Sequence, residues 1–124
     1  MTSPRDVVAR RRAQRADRIA QARRFAARLD ATLAVRAVVV VGSVARGDFH
    51  DTSDIDVVIV ADGLPADRTE RYRALGQLPA GLEPIAWTAD EWALQVRRRN
   101  PLACEALQRG VWLVGQRDAL GDHA

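Results

Sequence analysis

Two runs of β-branched residues constrain this chain more than anything else in it. Val35-Arg36-Ala37-Val38-Val39-Val40-Val41 ends at Gly42, and Asp54-Ile55-Asp56-Val57-Val58-Ile59-Val60-Ala61 ends at Asp62-Gly63. A strand with one face in water alternates apolar and polar residues, whereas an unbroken apolar run fits a strand covered on both faces. Both runs are therefore predicted as interior strands of a short sheet flanked by helices.

The rest of the chain supplies those helices. From about Arg5 to Leu33 there is no glycine and no proline, and Ile19, Ala22, Ala26, Leu29 and Leu33 recur at helical spacing. One long helix is predicted, with a weaker apolar face in its first half, where the helix is expected to project or fray. Ser43 to Phe49 reads as a short helix and Pro65 to Leu75 as another, closed by Gly76. Leu82 to Trp87 is a short third strand, demoted to an edge by Pro84, which cannot donate to a ladder. Thr88 with Glu91 forms a capping box for a helix over Ala89 to Arg98. Asn100-Pro101 starts a helix that stops at Gly110, and Val111 to Val114 is a last strand. The fold class expected is mixed α/β (α+β), a short mixed sheet with a long N-terminal helix. The 124 residues leave room for one domain: a basic helix over 1–33, a core over 35–115 and a loose tail over 116–124.

No run of apolar residues is long enough to span a bilayer, and Met1 leads into arginines rather than an apolar signal core, so a cytoplasmic protein with no membrane attachment is expected. The single cysteine, Cys104, excludes an internal disulfide and has no neighbour at metal-ligand spacing; it reads as a small buried apolar residue. All nineteen basic residues are arginine, which removes lysine as a nucleophile or phosphate clamp. Nine of them fall between Arg5 and Arg28. That run reads first as a solvated helix face, with an acidic partner or RNA as the alternative.

Chemistry concentrates where the two strand runs meet their turns. Gly42 lets the backbone turn sharply and approach a ligand, and Ser43 opens the next helix, where free N–H groups favour an anion such as a nucleotide's phosphates. Asp54 and Asp56 stand two apart on a strand, so both carboxylates leave one face. Like charges held that close need a cation between them, and hard oxygen donors suit Mg²⁺. With this pair opening the strand beside the Gly42-Ser43 strand, the metal comes beside the phosphates, as phosphoryl or nucleotidyl transfer needs; Gly-Ser and Asp-x-Asp ten residues apart, with Arg46-Gly47 between and a strand on each side, form one joint signal. Arg46 reads either as a phosphate contact or as a partner of Asp48 or Asp51. Trp87, Trp92 and Trp112 read as core or interface before base-stacking platforms, and His50 and His123 carry no pattern.

Through Gly42, Ser43, Arg46, Gly47, Ser53, Asp54 and Asp56 the chain resembles the minimal nucleotidyltransferases of the DNA polymerase beta-like superfamily, over about Val35 to Gly115. The resemblance implies the nucleotidyltransferase fold, Mg²⁺ on the carboxylates, and a triphosphate held by Gly42, Ser43 and Arg46. It also implies a third carboxylate on a following strand, aspartate in most of the family. Glu83 in Leu82-Glu83-Pro84 stands at that place, either as a metal ligand beside Asp54 and Asp56 or the base for the acceptor proton, as the resemblance implies, or as an edge residue in solvent.

Small members of the family occur beside HEPN-domain ribonucleases as antitoxins, some adenylylating a toxin tyrosine. The expected function is therefore transfer of AMP from ATP, or of another nucleoside monophosphate, to the hydroxyl of a protein such as a HEPN toxin. Two alternatives stand beside it: a non-catalytic nucleotide-binding antitoxin, and one subunit of a small-molecule (antibiotic) nucleotidyltransferase. A homo-oligomer is compatible with each, and nucleic acid is not the expected partner.

Overall fold

The structure, a computed structural model, describes residues 3–117; most of the tail expected to be loose, with His123, lies outside them. Nine elements follow in chain order: α1 (Pro4–Thr32), β1 (Ala34–Val41), α2 (Gly42–Arg46), β2 (Ile55–Asp62), α3 (Arg68–Ala74), β3 (Leu82–Trp87), α4 (Ala89–Arg97), α5 (Pro101–Arg109) and β4 (Val111–Val114). The sheet order is β3-β2-β1-β4. β1 runs antiparallel to both β2 and β4, while β2 and β3 are parallel, so the sheet is mixed and the two valine-rich strands occupy its centre.

The absence of alternation in those strands has a direct structural cause. Val38, Val40, Val57 and Ile59 pack with Ala22, Phe25, Ala26 and Leu29 of α1. Val39, Val41, Val58 and Val60 pack on the opposite face with Trp92 of α4 and with Ala103 and Ala106 of α5. Every second residue thus meets a different helix layer, and both sets must be apolar. Pro84 sits in β3, the outer strand.

Trp92 is fully buried and forms the centre of the second layer, with Trp87 tilted against it at 6.1 Å and Trp112 edge-on at 6.4 Å between ring centroids. Trp112 Nε1–H donates to the Ala106 carbonyl at 3.0 Å. The tryptophans are therefore core, with Trp87 and Trp112 partly exposed. Cys104, expected to be buried, is only half-buried on α5. Among the described residues no helix is long and apolar enough to cross a membrane.

α1 begins at Pro4 with Ser3 and Asp6 completing a capping box, so the basic half is continuous helix rather than a frayed lead-in. Two other helices are shorter than expected. α2 ends at Arg46, where Gly47 adopts a left-handed conformation (φ 89°), and α3 starts at Arg68 after the Asp67 cap. The α4 cap forms as expected: Thr88 Oγ accepts from the Glu91 N–H, and Glu91 accepts from the Thr88 N–H and from Arg71. Burial opposes ionisation of Glu91, but the Thr88 N–H and Arg71 outweigh it and hold the carboxyl below its usual range.

The two halves of α1 should respond differently to truncation. Leu29→Ala, which opens the core under the sheet, is expected to lower unfolding free energy by about 3 kcal/mol. Val8→Ala, at a position half exposed, should change it by less than about 0.5 kcal/mol in the same chemical denaturation.

Candidate active site

The pairing of β1 with β2 brings the two halves of the sequence signature together. Val41, the last residue of β1, stands opposite Asp56, and Gly42 follows directly. Gly42 has φ +74°, and a Cβ built on it would collide with the Asp56 carboxylate. Glycine is required there twice, by the backbone and by the acid lying against it.

The same face collects the other carboxylates. Asp56 neighbours Glu83 across the parallel β2/β3 ladder, and the same alternation sends Val58, Val60, Ile85 and Trp87 to the α4/α5 side. Asp54 lies one residue before β2 and two before Asp56. Glu105, on α5, comes over this end of the sheet and pairs with Arg46, which also pairs with Asp48 at 3.1 Å. Arg46 thus takes the Asp48 partner of the second reading, together with one that spacing gave no reason to expect. Glu83 and Asp54 are exposed, and Asp56 is half-buried.

This gathering of acids acts on Asp56. Its carboxyl is held above the ordinary value, first by burial and then by Asp54, Glu83 and Glu105, with Arg46 alone opposing. Asp54, Asp56 and Glu83 offer hard oxygen donors, and the uncompensated charge at Asp56 fits a divalent cation. The three do not close into a preformed ligand cluster; among the described residues no three side chains of metal-binding type do. What fits a metal is the pair Asp54 and Asp56, with Glu83 one strand away and pointing the same way.

At Gly42-Ser43 the α2 helix has only five residues, so its dipole is small. Its cap residue, Val41, has no side chain able to satisfy the first-turn N–H groups, which leaves those groups and the Ser43 hydroxyl for a ligand. A shallow opening of about 480 Å³ adjoins Asp54, walled by Gln14, Asp17, Arg18 and Gln21 of α1 and by the turn before β2. A second, of about 410 Å³, lies at the outer side of β3 against Arg71, Tyr72 and Trp87 and contains none of the signature residues.

Arg15 and Arg18, which read in the sequence as part of a solvated face, bond instead to backbone carbonyls beside the signature. One signal could have found them. Arg11, Arg15 and Arg18 continue, at spacings of three and four, the stripe formed by Ala22, Phe25, Ala26 and Leu29.

Residues 19–100 match the model of the nucleotidyltransferase domain. Among solved structures, a Sulfolobus solfataricus protein provisionally named a nucleotidyltransferase is 19% identical, with a TM-score of 0.63, covering 82% of this chain and 84% of its own. A toxin-antitoxin with AMP-PNP is 18% identical, with a TM-score of 0.56 over 82% of this chain and 80% of that one. The toxin-antitoxin MntA-HpeT, in a mutant changing two aspartates two positions apart to glutamate, is 17% identical, with a TM-score of 0.51 over 77% and 74%. No curated protein matches.

Two outcomes follow from the acid-on-glycine geometry. Gly42→Ala should cost about 1–3 kcal/mol of stability, because it combines a strained φ with a collision against Asp56. A carboxyl with a raised folded value contributes stability below its unfolded value of 3.8 and loses that contribution as pH rises through the folded value. Asp56→Asn is therefore expected to melt above the unsubstituted protein near neutral pH without divalent ions. The gap should close as the pH approaches 4, and Mg²⁺ should raise the melting temperature of the unsubstituted protein more than that of Asp56→Asn.

Proposed function

Since the chain belongs to the nucleotidyltransferase domain family, we propose that it transfers a nucleoside monophosphate, AMP from ATP, to the hydroxyl of a partner protein, and that it acts as the antitoxin of a HEPN-type toxin. The observation that carries the reading is the Asp56 carboxylate, held above its ordinary value by burial and then by Asp54 and Glu83, and lying on Gly42 at the start of an uncapped turn. An acidic pair and a set of free amides lie side by side there, as a metal-bound triphosphate needs. The two toxin-antitoxin structures of similar fold, one of them with AMP-PNP, support a nucleotide and a partner protein.

In this reading the Gly42-Ser43 turn holds the leaving phosphates, and Asp54 and Asp56 hold Mg²⁺. The ion supplies positive charge against the triphosphate and against the charge that develops in transfer. Glu83 takes the proton from the acceptor hydroxyl. The acceptor oxygen bonds to the α-phosphorus as the bond to the β-phosphate oxygen breaks, and pyrophosphate leaves. Arg46, held by Asp48 and Glu105, must exchange a partner if it is to meet a phosphate.

One observation favours a second reading, binding without turnover. Glu83 is exposed and the three carboxylates do not converge, so the same turn and acid pair can serve a nucleotide binder. Incubating the purified chain with Mg²⁺, α-labelled nucleoside triphosphates and the candidate toxin separates the two. Under the transfer reading label moves to the toxin, chelating the metal stops it, and Asp54→Ala or Asp56→Ala lowers the rate by at least about 100-fold. If neither aspartate is needed to protect cells from the toxin and no triphosphate labels it, the protein acts by binding alone.

A further inference from the structure

Along α1 the side that faces the sheet changes character. From Ala22 to Leu29 it is apolar and buried, and toward the N-terminus the same stripe continues as Arg18, Arg15 and Arg11. These three are partly buried, while Arg5, Arg10, Arg12, Arg23 and Arg24 on the same helix are exposed. The change occurs where α1 passes the α2 turn and the segment that leads into β2.

Each of two arginines spans a pair of carbonyls. Arg15 donates from Nε to the Val44 carbonyl at 3.0 Å and from Nη2 to the Ala45 carbonyl at 2.8 Å. Arg18 donates from Nη1 to the Ser53 carbonyl at 3.1 Å and from Nη2 to the Asp51 carbonyl at 2.9 Å. The guanidinium groups of Arg11 and Arg18 also lie over the ring of buried Phe49, at 4.9 and 4.6 Å from its centroid. Among the described residues neither Arg15 nor Arg18 forms an ion pair.

Their targets are the backbone of the signature itself. Val44 and Ala45 directly follow Ser43, and Ser53 directly precedes Asp54. Residues 47–54, which join the two halves, contain no helix or strand, so the ladder alone does not fix how the Gly42-Ser43 turn sits relative to Asp54. The forked donors of Arg15 and Arg18, set one helical turn apart on a rigid helix, supply that constraint.

We propose that Arg15 and Arg18 are positioning residues that hold the phosphate turn and the carboxylate pair in the mutual geometry transfer requires. The proposal rests on the transfer reading for its effect on rate. Its effect on backbone order does not depend on that reading. Each arginine acts through two main-chain carbonyls, and misplacing reacting groups by about 1 Å costs on the order of 100-fold in rate.

The test uses Arg15→Gln, Arg18→Gln, the two Lys replacements, and Arg24→Gln as an exposed control on the same helix. Amide hydrogen exchange of residues 43–48 and 51–55, and the protection that Mg²⁺ with ATP confers there, is measured beside kcat and KM for ATP and the melting temperature. Either Gln variant is expected to stay folded and to exchange faster in both segments. It should lose about 10- to 100-fold in kcat with KM changed less than about threefold, while Lys recovers part of the loss and Arg24→Gln changes nothing. Unchanged exchange in the folded Gln variants overturns the proposal. So does a kcat within twofold of the unsubstituted protein, or a loss that Arg24→Gln shares. A variant that does not fold is replaced by its Lys counterpart, judged by the same two readouts. If the unsubstituted protein labels no acceptor, the transfer reading fails by itself, and exchange together with Mg²⁺·ATP protection still decides whether the brace exists.

Discussion

The antiparallel pairing of β1 with β2 fixes where Gly42 meets Asp56, the contact on which the rest of the site depends. It places Val41 opposite Asp56, so the turn at Gly42 is made against a carboxylate and not against an apolar side chain. The parallel pairing of β2 with β3 then sets Glu83 beside Asp56. A slip of one residue in either ladder would send Asp56 or Glu83 to the α1 side and bring a core valine to the site. That slip is opposed by the core on both faces of β1 and β2, since each strand contributes to two apolar layers at once. The packing that makes these strands unreadable by alternation is the packing that holds the acids in place.

The gathered acids work against the stability of the fold that gathers them. Asp56 carries the cost of partial burial and of three neighbouring carboxylates, and Arg46, its one opposing cation, is itself held by Asp48 and Glu105. A structural ion pair would have been arranged the other way, with the cation aimed at the buried acid. Strained electrostatics at the mouth of a glycine turn, within an otherwise well-packed core, belongs to binding or catalysis more readily than to folding.

Much of this was legible in the sequence, for identifiable reasons. Strand runs, the Thr88 and Asn100 caps and the edge position forced by Pro84 depend on local chemistry, and the structure realises each of them. The closeness of Gly42 to Asp56 was legible because two strands joined by a short connection pair with each other. Glu105 was not, since nothing local connects α5 to β2; the contact exists only once the sheet order β3-β2-β1-β4 lays α5 over β1. The ends of α2 and α3 were overextended because apolar spacing continues past the point where Gly47 and the Asp67 cap set the limits.

The arginines of α1 are a harder case, because composition argued against them. Nine arginines in one helix read as a solvated face, and most of them are exposed. Position on the helix, not residue type, separates those that meet the stretch between Ser43 and Asp54: Arg11, Arg15 and Arg18 are in phase with the core stripe, while exposed Arg28 meets Phe25 and the Gln77 carbonyl instead. An apolar side chain at 15 or 18 would cover the loop but leave its carbonyls without donors, and a lysine would offer a compact point charge with no planar fork. Arginine meets both demands, since the planar guanidinium of Arg18 lies over the Phe49 ring while the forks of Arg15 and Arg18 each satisfy two carbonyls. Where a helix crosses irregular backbone rather than a sheet, its inward face must supply donors. A periodic stripe that turns from apolar to arginine therefore marks the loop it lies over.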